Sequence, residues 1–193
     1  MDNTLTFILG GARSGKSRFA QHLAARRGQQ VTFVATAEAG DEEMRLRIED
    51  HRRARPEHWL TLEAPNGVAE ATRSATREAE VVLVDCLSLF VSNLLLAAGD
   101  DLQAAAQSIE QEVEALLSAA AAGPAGVIIV SNEVGLGVVP AYPLGRVYRD
   151  LLGWANARVA RAADEVYWMV AGMPIEVKAS GLAVSWEEPD GAA

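Results

Sequence analysis

At 193 residues the chain is long enough for one well-packed domain, residues 1–193, and nothing in it asks for a second. Its 26 acidic against 17 basic side chains give a net charge of -9, which argues against nucleic acid or an anionic membrane as the main partner. The single cysteine, Cys86, excludes an internal disulfide and suits a cytoplasmic setting, and no basic segment followed by an apolar core opens the chain, so no signal peptide is expected.

The apolar run Leu5 to Leu9 reads as a buried first strand. It leads into Gly10-Gly11-Ala12-Arg13-Ser14-Gly15-Lys16-Ser17, which fits the phosphate-loop pattern G-x-x-x-x-G-K-[ST]. Glycines at these spacings let the backbone turn tightly, so that successive N–H groups and a helix N-terminus point at one phosphate cluster. Lys16 is expected to reach the β- and γ-phosphates and the Ser17 hydroxyl to ligate Mg²⁺. A helix then runs from Lys16 to about Arg27, ending near Gly28.

Val31-Thr32-Phe33-Val34-Ala35-Thr36 is a second β-rich run. The spacing after it predicts a helix from about Asp41 to Arg55, with acids at its start and arginines towards its end as the helix dipole prefers, closed by Pro56. Arg47, His51 and Arg55 are four apart and would share one face, with Met44 and Ile48 beside them to pack inward. Three stacked basic groups in an acidic protein suit phosphates, against the competing reading of a solvated basic face. A neutral imidazole in that place can also attack an α-phosphorus and hold a nucleotidyl group as a phosphoramidate. Neighbouring arginines would disfavour imidazolium and offset the phosphate charge.

A short linking stretch contains Trp59 and Glu63, a helical pattern covers Val68 to Glu78, and Val81-Val82-Leu83-Val84 is a strand. Val81 to Gly99 has about the length of a membrane span. Asp85, Ser88, Ser92 and Asn93 interrupt it, so it reads as a buried strand feeding a half-buried helix, and no membrane insertion is expected. Asp101 to Ala122 is a long helix with Ile109, Val113, Leu116 and Leu117 on one face, stopped by Gly123-Pro124. Val127 to Val130 is a strand covered on both faces, and its exit carries Ser131-Asn132-Glu133-Val134-Gly135-Leu136-Gly137. Leu144 to Ala163 is helical, Glu165 to Val170 is a last core strand, and the tail from Gly172 reads as a short hairpin or loose end.

Apolar strands alternating with helices imply an α/β fold with a mostly parallel sheet flanked by helices. In such sheets ligands bind beyond the carboxyl ends of the strands, so polar residues just after each strand are site candidates. Asp85 stands where a Walker B carboxylate holds the magnesium shell, the alternative being a cap for the helix that begins near Leu87. Glu133 would reach the same cleft to order a metal-bound water or a substrate hydroxyl, the alternative being a solvated loop glutamate.

Taken together, these strings resemble the bifunctional adenosylcobinamide kinase and adenosylcobinamide-phosphate guanylyltransferase family over nearly the whole chain. The resemblance is carried by the phosphate loop, Ala35-Thr36-Ala37, Asp41-Glu42-Glu43-Met44, Arg47-Ile48-Glu49-Asp50-His51-Arg52 and Arg55-Pro56 with Trp59. It continues in Asn132-Glu133-Val134-Gly135-Leu136-Gly137-Val138-Val139-Pro140, Arg149-Asp150, Gly153, Asn156 and Ala163-Asp164-Glu165-Val166. It implies a P-loop NTPase with a RecA-like sheet order and a homotrimer with sites near subunit contacts. It implies two reactions: phosphorylation of the adenosylcobinamide hydroxyl by ATP or GTP, then transfer of GMP from GTP to that phosphate with release of pyrophosphate. His51 falls on the family's guanylylated histidine. Nucleotide contacts would fall on Gly10 to Ser17, Ala35, Thr36, Ala37, Arg52, Arg53, Ala54, Arg55, Glu63 and Asp85, with Mg²⁺ on Ser17 and Asp85. Asp85 stands where the family has glutamate, as does Gln21. The segment carrying His51 follows a strand exit and would swing over the phosphate loop as a lid. The competing readings are a P-loop kinase of another small alcohol, and a nucleotide-dependent oligomeric switch without group transfer.

Overall fold

The computed structural model describes residues 3–180 apart from Ala54 and the side chain of Arg47. One seven-stranded sheet organises them. Along the chain it is built from β1 (Leu5–Gly10), β2 (Val31–Ala35), β3 (Leu60–Glu63), β4 (Val81–Asp85), β5 (Gly126–Asn132), β6 (Glu165–Val170) and β7 (Met173–Glu176). Across the sheet the order is β3-β2-β4-β5-β1-β6-β7. All neighbours are parallel except β6 and β7, which form an antiparallel hairpin through Ala171 and Gly172. This is the sheet order the resemblance implied: two strands, β5 and β4, separate β1 from β2, its successor in the chain.

The helices are α1 (Lys16–Arg27), α2 (Glu42–Arg53), α3 (Val68–Ala75), α4 (Leu87–Ala97), α5 (Leu102–Ala122) and α6 (Pro143–Ala162). Strand alternation divides the core between the two faces of the sheet. Phe7, Val34, Val82, Val84, Val127 and Ile129 pack with α3, α4, α5 and α6 on one face. Ile8, Phe33, Leu83, Ile128 and Val130 pack with Ala20 and Ala24 of α1 on the other. Side chains are buried on both sides, which is why β4 and β5 read as continuous apolar runs rather than alternating ones. The apolar stretch after Val81 folds as β4 and α4, and among the described residues no helix is long and apolar enough to cross a membrane.

Three boundaries differ from the sequence reading, each for a local reason. The linking stretch around Trp59 contains β3, a four-residue edge strand with no fully buried residue and two polar ones, which leaves it without a continuous apolar signature. The α3 pattern stops at Ala75, where the chain continues in turns instead of further helix. Most consequential, α2 ends at Arg53, so Arg55 is not on the helix and cannot share a helical face with His51. Pro56 disfavours helical backbone at the residue before it, so Arg55 leaves the helix rather than closing it. Asp41 lies just outside α2 as its cap, its Oδ1 accepting from Met44 N at 2.7 Å.

Candidate active site

The phosphate loop joins β1 to α1 as the pattern predicted. Gly10 ends β1 so close to β6 that a Cβ there would meet Met169 O at 2.6 Å. Gly15, at the N-terminus of α1, has φ 92°, which an L side chain rarely adopts. Arg13, also within the loop, has φ 56° and an exposed side chain. Lys16 is buried, and its Nζ donates to Gly11 O at 2.7 Å, which folds the ammonium back across the loop. The backbone is tied to its neighbours as well: Glu133 N donates to Gly10 O at 3.0 Å and Gly172 N to Ser14 O at 3.1 Å.

Asp85 stands at the exit of β4, two strands from β1, with the Ser17 hydroxyl near enough to act on its carboxyl. It does not cap the following helix, because Cys86 occupies the N-cap position of α4. Burial pushes the Asp85 carboxyl up from its ordinary value, opposed by the Ser17 hydroxyl and by the positive groups of His51, Arg55 and Lys16. Ser17, His51, Arg55 and Lys16, all selected from the sequence, therefore lie within electrostatic range of one carboxylate. Asp85 Oδ2, Ser14 Oγ and Arg55 Nε are buried without a hydrogen-bond partner; the only other such side-chain atom among the described residues is Thr72 Oγ1. An orphaned buried polar group costs about 1–3 kcal/mol, so their concentration at one set of strand exits marks a ligand site.

The side of β2 that faces Asp85 is clamped. Ala35 is opposite Asp85 in the sheet register, and Ala35, Thr36 and Ala37 leave the strand beside it. The Thr36 hydroxyl is fully buried; it donates to Cys86 O at 2.8 Å and accepts from Cys86 N at 2.7 Å. Asn93 of α4 donates to Thr36 O and to Pro65 O, both at 2.9 Å. Asn93 entered the sequence reading only as a polar interruption of an apolar run, and that interruption was the available signal for its structural task.

The basic segment divides into parts with different surroundings. His51 is half-buried on α2, near enough to Asp85 for its charge to act on that carboxyl, and Met44 and Ile48 are half-buried beside it. Arg52 faces Glu63 at the end of β3, at 3.8 Å, while Arg53 turns back along its own helix to Glu49 and Asp50. Arg55 stacks 3.4 Å above the centroid of the Phe33 ring. Burial lowers its pKa from the ordinary arginine value, with Asp85 opposing that shift. Ala54 and the Arg47 side chain lie outside the described residues.

Residues fit a P-loop magnesium site in kind: a hydroxyl, Ser17, near a carboxylate, Asp85, that has one buried oxygen unpartnered. Among the described residues no group of three or more His, Cys, Asp or Glu could hold a metal, but Mg²⁺ on nucleotides commonly needs only one or two protein ligands plus phosphate oxygens.

A second polar network, which the sequence reading did not single out, braces the exits of β4 and β5. Asn132 Nδ2 donates to Ser88 Oγ at 2.6 Å, Tyr148 Oη to Ser88 O at 3.1 Å, and Asn156 Nδ2 to Asn132 O at 3.1 Å. Burial raises the Tyr148 phenol to about 12 and the Cys86 thiol to about 11, so both are neutral and act here as packing and hydrogen-bonding groups.

The description "Cobinamide kinase / cobinamide phosphate guanyltransferase" matches residues 6–177. The "Bifunctional adenosylcobalamin biosynthesis protein CobP" of Pseudomonas aeruginosa is 48% identical over 175 residues, covering 91% of this chain and 98% of that protein. The "Bifunctional adenosylcobalamin biosynthesis protein CobU" of Escherichia coli is 41% identical over 181 residues, covering 90% and 99%. Among solved structures, a prototypical ATPase from the type III secretion system of pathogenic bacteria aligns with TM-score 0.55 at 14% identity, over 87% of this chain and 52% of that one. That likeness shows the fold, a P-loop NTPase sheet.

Proposed function

Because the chain belongs to the cobinamide kinase / cobinamide phosphate guanyltransferase family, we propose that it performs both reactions on adenosylcobinamide. In the first, ATP or GTP lies on the Gly10 to Ser17 loop, with backbone N–H groups and Lys16 around its phosphates, and the acceptor hydroxyl oxygen attacks the γ-phosphorus. In the second, the His51 imidazole attacks the α-phosphorus of GTP, pyrophosphate leaves, and the acceptor's phosphate oxygen then displaces His51 to give adenosylcobinamide-GDP. Arg52 and Arg55 offset phosphate charge during that exchange, and Ala35, Thr36, Ala37, Arg53, Ala54 and Glu63 belong to the nucleotide's surroundings. Ser17 and Asp85 would hold Mg²⁺, which when bound neutralises phosphate charge.

The observation that carries this reading is that Lys16 and Ser17 of the loop, His51 of α2 and Arg55 all lie within electrostatic range of Asp85, whose Oδ2 is buried and unpartnered. Phosphoryl transfer needs the loop, its lysine and a carboxylate, whereas nucleotidyl transfer needs an exposed nucleophile beside the same phosphates. The chain works as a cytoplasmic homotrimer in this reading, with the α2 segment moving over the loop between reactions.

Intact-protein mass spectrometry after incubation with GTP and Mg²⁺ tests it. The expected result is an adduct of one GMP, absent in His51→Asn and discharged by adenosylcobinamide phosphate. An adduct that persists in His51→Asn removes His51 from the role. No adduct where GTP demonstrably binds leaves a kinase of some alcohol, or a nucleotide switch.

A further inference from the structure

A cleft of about 370 Å³ opens between the phosphate loop and the exits of β5 and β6, the two strands that flank β1, whereas Asp85 lies one strand further, at the exit of β4. Its walls are Gly11 to Ser14 of the loop, Glu133 and Leu136 beyond β5, and Trp168 to Ala171 at the end of β6. Glu133 is held in two ways: its N–H donates to Gly10 O at 3.0 Å, and its Oε1 accepts from Gly135 N at 2.6 Å. Among the described residues Oε2 carries no hydrogen bond or ion pair. Ser14 Oγ, buried and unpartnered, belongs to the same wall.

The Lys16 ammonium, the group that reaches the β- and γ-phosphates, sits at Gly11 O, and Gly11 is itself a wall of the cleft. The reacting end of a nucleotide therefore borders the cleft. A carboxylate there repels phosphate but suits a hydroxyl, and Leu136, Trp168 and Val170 supply apolar surface for what carries that hydroxyl. The loop that leaves the cleft at Leu136 goes on with Val138, Val139 and Tyr142, all exposed.

Resting on the function proposed above, we propose that this cleft receives the alcohol arm of the phosphoryl acceptor, the corrinoid, and that Glu133 is the general base of the kinase step. The hydroxyl oxygen forms the bond to the γ-phosphorus as the bond from that phosphorus to the β,γ-bridging oxygen breaks. The hydroxyl proton passes to Glu133 Oε2, and the nucleoside diphosphate leaves on the phosphate loop. A positioned base contributes roughly 10²–10⁴ in rate.

Steady-state kinetics of cobinamide phosphorylation test this on the full-length protein, with ATP binding measured by calorimetry. Glu133→Gln keeps an oxygen to accept from Gly135 N but loses the base. It is expected to lower kcat about 10²-fold or more, with the Kd for ATP and the KM for cobinamide within about threefold of wild type. Leu136→Ser, at a position 80% exposed and so harmless to folding, is expected to raise the KM for cobinamide about tenfold and leave the KM for ATP unchanged. A Glu133→Gln kcat within threefold of wild type overturns the inference, as does loss of ATP binding in that variant, which would make the cleft a nucleoside pocket. A wild-type protein that binds ATP but phosphorylates no cobinamide overturns the proposed function itself and this inference with it.

Discussion

Asp85 and His51 stand near one another on elements of opposite construction. β4 is buried through Val84 on both faces, and the backbone that follows Asp85 is gripped by the Thr36 hydroxyl at both the N–H and the C=O of Cys86. α2 has no fully buried residue among those described, and most of its ion pairs stay within the helix: Arg45 with Glu42 and Glu49, and Arg53 with Glu49 and Asp50. A strand exit in the core holds a charge at one place at a desolvation cost, whereas a surface helix with few buried contacts shifts at low cost. The proposed function, in which a γ-phosphorus meets an acceptor hydroxyl and an α-phosphorus meets a histidine, has use for one fixed group and one movable one.

Replacing Asp85 by Asn tests the fixed side with the largest effect. Phosphoryl transfer is expected to fall about 10²–10³-fold, while the nucleotide-free protein becomes more stable by about 1 kcal/mol in urea denaturation, because a desolvated carboxylate is gone. The folded-state pKa of Asp85 is raised, so its cost is present at neutral pH and fades as the pH falls and the carboxyl protonates. The gain over wild type should accordingly shrink in acid. A variant less stable than wild type at neutral pH would mean that Asp85 is held by attraction and not merely tolerated.

Thr36→Val sharpens the comparison at an intermediate size. It strips partners from two buried backbone groups of Cys86, for an expected loss of about 2–3 kcal/mol, and Thr36→Ser should restore most of it. If Thr36→Val proves as stable as wild type, the β4 exit is no more firmly held than α2, and the contrast fails.

The smallest effect belongs to α2. Asp50→Asn breaks an exposed pair with Arg53 and should leave the Tm within about 1 °C, read by calorimetry. A drop of several degrees would show the helix to be docked rather than merely resting on the surface.

Much of this was legible in the sequence because local signals were strong. The run Leu5 to Ser17 combines a buried strand, a turn rich in glycine and a helix start, and it folds as read. The face shared by Arg47, His51 and Arg55 was misread, since the four-residue spacing continues through Arg55 while the helix ends at Arg53, ahead of Pro56. β3 escaped because a four-residue edge strand with no fully buried residue has too little apolar content to stand out from a loop. Thr36 carried a nucleotide-binding expectation, yet its hydroxyl is spent on the Cys86 backbone; only the pairing of β2 with β4 creates that contact.

The sequence by itself determined the identity of the phosphate loop, the alternation of strands and helices, and the chemical types of Lys16, Ser17, His51 and Asp85, because each depends on residues within about a dozen positions of one another. The tertiary structure alone decided which strand exits are neighbours. Placing β5 and β6 on either side of β1 brings Glu133 and the end of β6 together around the loop as one cleft, while Asp85 stands one strand further, at the exit of β4. That choice comes from burying both faces of a parallel sheet, a demand that residues far apart in the chain meet together and that no short stretch expresses.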